Sequence, residues 1–220
     1  MKRKILLSWS SGKDSAWCLH LLRQQGDLEV VGLLTTVDAR SRVAMHAVRE
    51  TLLDAQAQAA GVPLLKVPLP WPCSNAQYEQ AVGNAVAGAR GNGVSGIAFG
   101  DLFLEDIRRY REAQMKPLEL EPFFPLWGKP TNGLAREMIA SGLRAVVTCV
   151  DLEQLPARFA GAQFDSAFLE ALPPAADRCG ERGEFHTFVW AGPMLRAPLP
   201  VRAGEVVERD GFAFADLLPA

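Results

Sequence analysis

Six consecutive residues, Ser10-Ser11-Gly12-Lys13-Asp14-Ser15, place hydroxyls, a flexible glycine, a cation and a carboxylate side by side. They stand between a short apolar run, Lys4 to Ser8, and a helical pattern from Ala16 to about Gln25 in which Trp17, Leu19, Leu21 and Leu22 recur near helical spacing. Backbone N–H groups at a helix N-terminus, aided by hydroxyls, form a ready anion site, so the chemistry this segment suits is phosphate binding. Serine and aspartate also cap helices, yet two serines, Gly-Lys and a further Asp-Ser exceed what capping needs. This is not a Walker A loop. Leu7 occupies the place of the first glycine, and Asp14 follows Lys13 where Ser or Thr is required.

A second dense cluster is Cys179-Gly180-Glu181-Arg182-Gly183-Glu184-Phe185-His186-Thr187. Its glycines permit close approach of backbone to a ligand. A strand starting at Glu184 would put Glu184 and His186 on one face, Phe185 and Thr187 on the other. A carboxylate beside an imidazole can orient a nucleophile or bind an amine; a solvent-facing strand is the plainer alternative. Asp101, after Gly100 at the end of the apolar run Val94 to Phe99, suits Mg²⁺ held through water or a helix cap. Arg108 and Arg109 follow Glu105-Asp106 on a helix, placed to grip a phosphate or carboxylate or to form surface ion pairs. Asp38, past the apolar run Leu28 to Thr36, would read a ribose or close a turn. His46 and the thiol of Cys179 have equally plain structural readings.

The elements that must position these residues alternate. After the run at 28–36 come a helix over Met45 to Ala60 ended by Gly61, a strand over Val62 to Val67, a helix over Asn75 to about Arg90, and the strand into Gly100-Asp101. Strand–helix alternation predicts an α/β domain with a mostly parallel sheet covered by helices on both faces. Ligands of such sheets bind beyond the carboxyl ends of the strands, where Ser8 to Ser15, Thr35 to Asp38 and Gly100-Asp101 all fall. Beyond Glu121 the texture changes. Pro122, Pro125 and Pro130 cluster, a helix (Asn132 to Ser141) and a strand (Ala145 to Val150) follow, and the tail alternates like β-structure with Arg209-Asp210-Gly211 as a hairpin turn. The expected division is 1–122 for the α/β domain and 123–220 for a smaller α+β domain.

Composition bounds the function classes. The chain has 220 residues, 49% hydrophobic and 22% charged, and a formal charge of -2, which provides no footprint for non-specific nucleic-acid binding. Four scattered cysteines form no CxxC pair and indicate neither a zinc knuckle nor a disulfide scaffold. The apolar run after the basic N-terminus is too short for a signal peptide or membrane span, so a cytoplasmic, membrane-free protein is expected.

Ser10 to Ser15 resembles the SGGKDS loop of N-type ATP pyrophosphatases (the PP-loop superfamily), with Ser11 in place of the first glycine. Gly100-Asp101, Leu104-Glu105-Asp106 with Arg108, Pro125-Leu126-Trp127-Gly128 and Cys179 to Thr187 together resemble the diphthine–ammonia ligase (diphthamide synthase) family, and Arg42-Val43-x-Met45-His46 matches its shorter members. The resemblance spans nearly the whole chain; His186 stands where many members carry Glu. It implies a Rossmann-like (HUP-type) fold and an ATP-dependent amide ligase that adenylates a diphthine-like carboxylate, releases AMP and pyrophosphate, and transfers ammonia. It makes residues 1–122 the ATP-binding part and 123–220 the acceptor part. It further implies ATP on Ser10, Ser11, Gly12, Lys13, Asp14, Ser15 and Asp38, Mg²⁺ on Asp101, and Lys13, Asp101, Arg108, Glu181, Glu184 and His186 as the catalytic set. Expected partners are ATP, ammonia, diphthine on elongation factor 2, and a second copy of the chain. The alternatives are a tRNA-thiolating PP-loop enzyme, which would need paired reactive cysteines and a basic surface, and a non-catalytic nucleotide-binding protein.

Overall fold

Side chains of a buried parallel strand alternate between two covered faces, and the first strand shows this directly. Ile5 and Leu7 enter one hydrophobic core while Leu6 enters another. The computed structural model describes residues 2–37 and 48–220. Strands β1 (Arg3–Ser8), β2 (Leu28–Val37), β3 (Leu64–Pro68), β4 (Val94–Ala98) and β5 (Glu121–Phe123) form one sheet in the order β3-β2-β1-β4-β5, every pair parallel. Helices α1 (Lys13–Gln24) and α2 (Glu50–Ala60) supply Trp17, Leu19, Leu52 and Leu53 to the core on one face. On the other face α3 (Asn75–Gly91) supplies Val82 and Val86, and α4 (Glu105–Met115) supplies Met115. This is a Rossmann-like α/β arrangement, and the order reverses between β1 and β4, the place where such sheets open a ligand crevice.

Two differences from the sequence expectation bear on the site. Helix α1 begins at Lys13 rather than Ala16, because Gly12 takes the extended N-cap conformation, so Lys13, Asp14 and Ser15 are its first turn. The boundary expected between 122 and 123 falls inside β5, whose Phe123 carbonyl still accepts from the Phe99 N–H at 2.8 Å. Of the helix expected over Met45 to Ala60, Glu50–Ala60 is described; Arg42, Met45, His46 and Asp38 lie outside the described residues.

Helix α5 (Thr131–Ala140) leads into a second, antiparallel sheet of β6 (Arg144–Asp151), β7 (Phe185–Ala191), β8 (Val201–Arg209) and β9 (Phe212–Pro219), ordered β7-β6-β9-β8. A short helix α6 (Ser166–Ala171) sits between β6 and β7, capped by the Asp165 side chain. The β8–β9 hairpin turns at Asp210 and Gly211, both with positive φ, as a two-residue primed turn needs. The core does not stop between the sheets: Val147, Phe185, Phe188 and Val189 belong to the same cluster as Leu7 and Trp17. That continuity brings β7 against the turn after β1 and the start of α1.

Candidate functional site

The chain leaves β1 through Trp9 and turns at Ser11, whose φ of 71° is left-handed. A side chain there costs about 1–2 kcal/mol relative to glycine, which is the physical consequence of Ser11 replacing the glycine of the resembling loop. The turn is held from behind. The Ser11 carbonyl accepts from the Val189 N–H at 3.0 Å and from the Gln56 amide at 3.0 Å, while the Lys13 N–H donates to Thr187 Oγ1 at 3.1 Å. Space at Gly12 is tight, since a Cβ would lie 3.1 Å from the Thr187 carbonyl oxygen and press the loop and β7 apart by a few tenths of an ångström. In front, Ser15 Oγ donates to the Gly12 carbonyl at 3.0 Å, so Ser10 Oγ, 3.2 Å from Ser15 Oγ, is the donor in that pair.

This loop forms one wall of a cavity of about 300 Å³. Gly100, Asp101 and Arg111 form a second wall, and Cys179 to Glu181 with His186 and Thr187 form the third. A narrower cavity of about 150 Å³ adjoins it through Ser8, Ser10, Phe99 and Arg111 and reaches Thr35, Tyr78 and Gln114. Buried polar atoms without a hydrogen-bond partner gather here: among the described residues they include Asp14 Oδ1, Asp101 Oδ2, Thr35 Oγ1, Arg111 Nε and Gln114 Nε2. Native proteins pair nearly all buried polar groups. Such a concentration marks a place built to receive polar ligand atoms.

Charge in the cavity is mixed and tightly coupled. Lys13, 2% exposed, donates its ammonium to Asp14 Oδ2 at 2.7 Å and to the Cys179 carbonyl, and lies 5.4 Å from the Phe185 ring centre. Burial opposes its charge, but Asp14 and the other anionic neighbours outweigh this and keep it protonated. Burial lifts the Asp14 carboxyl above the usual range despite Lys13, and lifts Asp101 despite Arg111, whose Nε is 3.7 Å from Asp101 Oδ2. Glu181 is pushed up to about 7, first by burial and also by Asp14 and Asp101, although Leu102 and Phe103 donate backbone N–H groups to its Oε1. Burial and Lys13 bring His186 down to about 4, leaving a neutral imidazole at neutral pH. The Cys179 thiol is driven well up by burial and donates to the Thr131 carbonyl at 3.4 Å, so it is held protonated.

The structure brings Ser10, Gly12, Lys13, Asp14, Ser15, Asp101, Glu181 and His186 around one cavity. Three expected residues are not part of its lining. Glu184, 1% exposed, precedes the strand rather than starting it, and its oxygens accept from the Asp177 N–H at 2.7 Å and the Arg182 N–H at 2.9 Å; it builds the 177–183 loop instead of facing the cavity. Arg108 turns away, pairing with Glu112 at 2.8 Å and stacking 4.7 Å from the Trp127 ring centre. Ser11 points its carbonyl inward. Arg111, one turn after Arg108, is the α4 cation that reaches the cavity beside Lys13, and sequence reading passed over it. Asp177 was also missed; its carboxylate accepts from the N–H groups of Cys179 and Glu181 and from the Thr131 hydroxyl, shaping the same loop as Glu184.

Residues 130–215 match the family model described as the diphthamide synthase C-terminal domain. The resemblance to the diphthine–ammonia ligase family is borne out. Curated diphthine–ammonia ligases of Bos taurus and Homo sapiens are each 34% identical over 128 residues, covering 56% of this chain and 48% of theirs. The Mus musculus diphthine–ammonia ligase is 32% identical over the same shares. The chain spans about half the length of these curated relatives.

Proposed function

We propose that this chain is an ATP-dependent ligase that adenylates a carboxylate of the diphthine type, releases AMP and pyrophosphate, and transfers ammonia to form an amide. The observation that carries the reading is the sharing of one cavity by the 10–15 loop and the 179–187 segment, joined through Lys13, which touches both Asp14 and the Cys179 carbonyl. The β- and γ-phosphates would rest on Ser10 to Ser15 at the helix N-terminus, with the nucleoside along the narrower cavity toward Thr35. The undescribed Asp38 follows the same strand end. Arg111 takes the anion-gripping role expected of Arg108. Residues 1–122 with the rest of β5 would form the ATP-binding part and the remainder the acceptor part. A cytoplasmic protein is part of the proposal; no described helix is long and apolar enough to cross a membrane. A second copy of the chain remains part of the proposed assembly.

The residues present suit Mg²⁺, which takes one or two carboxylates plus phosphate oxygens: Asp14 Oδ1 and Asp101 Oδ2 are buried on adjoining walls with no hydrogen bond, Asp101 Oδ2 meeting only the distant Arg111 Nε at 3.7 Å. The ion would neutralise charge building on the phosphates. Lys13 and the loop N–H groups stabilise that same charge as the acceptor carboxylate bonds to the α-phosphorus and pyrophosphate leaves. As the ammonia nitrogen then bonds to the acyl carbon and AMP departs, the proton lost from nitrogen passes to Glu181, whose value near 7 suits a base at neutral pH. Neutral His186 can accept a hydrogen bond from the amine without repelling it. The free cysteines, separate in sequence and with Cys18, Cys149 and Cys179 raised by burial, do not favour thiolation chemistry.

The test supplies elongation factor 2 bearing diphthine, Mg-ATP and ammonium, and separates the nucleotide products. AMP and pyrophosphate with amide on the acceptor are expected. ADP as the main product, or no acceptor-dependent turnover, defeats the proposal.

A further inference from the structure

Helix α2 turns the residues Leu52, Leu53, Gln56, Ala57 and Ala60 into the core, and one member of that stripe is polar. Gln56 is 0% exposed, and every polar atom of its amide is used. Its Oε1 accepts from Trp9 Nε1 at 2.7 Å, and its Nε2 donates to the Ser11 carbonyl at 3.0 Å and the Val189 carbonyl at 2.7 Å. A side chain that accepts once and donates twice in one plane has to be an amide; a carboxylate would meet two carbonyl oxygens with no proton to give. A buried amide is costly unless fully paired, and this site pairs it completely behind the strained Ser11 turn.

We propose that Gln56 is a positioning residue for the phosphate loop: by drawing the Ser11 carbonyl inward and tying it to β7, it keeps the left-handed turn that presents the start of α1 to an anion. Trp9 fixes which way the amide faces. Since the same amide also holds Val189, it sets the loop in register with the strand that carries His186 and Thr187. The inference rests on the reading that Ser10 to Ser15 bind the ATP phosphates.

Calorimetric titration of the full chain with Mg-ATP, inorganic pyrophosphate and AMP, each with Mg²⁺, tests it. For Gln56→Leu, confirmed as folded by circular dichroism, ATP and pyrophosphate affinity should fall at least tenfold while AMP affinity stays within threefold. A merely structural role would leave all three unchanged or lower them together, and either result overturns the proposal. Should Gln56→Leu fail to fold, Trp9→Phe decides. It frees the amide to flip, and a two- to fivefold selective loss for pyrophosphate is expected, with no loss overturning the idea. Absence of ATP and pyrophosphate binding by the unmodified chain defeats the underlying nucleotide reading instead, and that outcome is separately visible.

Discussion

The loop at residues 9–15 and the loop at residues 177–184 face each other across one cavity but are built by opposite means. The first is a strand-to-helix junction whose side-chain oxygens and ammonium stay at the cavity, with its backbone carbonyl tied off behind by Gln56 and β7. The second winds around two carboxylates, Asp177 and Glu184, which spend their oxygens on backbone N–H groups and the Thr131 hydroxyl. One loop offers charge outward; the other uses charge to hold its own shape and offers a single carboxyl, Glu181. The difference teaches that a glutamate in a glycine-rich segment next to a ligand cavity can be scaffold or chemistry, and that its oxygen partners decide which.

The sharpest test of that contrast is Glu181→Gln. Its amide oxygen can keep the Leu102 N–H bond, so the fold should persist while amide formation falls by about 10²–10⁴-fold, the usual worth of a general base. In the unmodified chain the rate should rise with pH through about 7. Stability carries the opposite sign. A carboxyl raised in the folded state stabilises fully below its unfolded value and loses that contribution as pH climbs through about 7, so the melting temperature of Glu181→Gln minus that of the unmodified chain should grow from pH 5 to pH 8.

Lys13→Ala strikes both loops, since it strands Asp14 on one side and the Cys179 carbonyl on the other. We expect a loss of about 2–3 kcal/mol in denaturant melts, less than for a fully buried pair because Asp14 is partly exposed. ATP affinity measured by calorimetry should drop at least tenfold. Glu184→Gln should instead damage only the second loop. Presenting an NH₂ to one of two backbone donors costs about 1–3 kcal/mol, while ATP affinity should hold. A folded Glu184→Gln with unchanged stability but abolished turnover would return Glu184 to the chemistry.

The smallest effect belongs to the first loop's turn. Ser11→Gly relieves a left-handed side chain and removes a buried hydroxyl without a partner, gains set against the greater freedom of glycine in the unfolded chain. A net stabilisation of about 1 kcal/mol is expected, or about 2–4 °C in melting temperature for a chain of this size. A fall in melting temperature would show that the Ser11 hydroxyl has a role its surroundings do not reveal.

What the sequence alone determined was local. A polar, glycine-containing turn between an apolar run and a helical pattern is a strand-to-helix anion loop wherever it folds. Strand–helix alternation likewise dictated a parallel sheet with its carboxyl ends gathering Ser10, Thr35 and Asp101. The Asp210-Gly211 turn was readable because positive φ at two adjacent residues selects its own residue types. Only the tertiary structure decided which charged side chains meet. The alternation placing Glu184 beside His186 requires continuous strand, but Gly180 and Gly183 at positive φ break that period before β7 begins at Phe185, so Glu181 turns to the cavity and Glu184 to the backbone. On α4, Arg108 and Arg111 are alike in type and spacing; the aromatic pair Phe124 and Trp127 captures the first, and Phe99 with Asp101 the second. Gln56 looked like any polar residue on a helix. Its partners lie 45, 47 and 133 residues away in the chain, and no local pattern records a hydrogen bond that exists only once three segments are packed together.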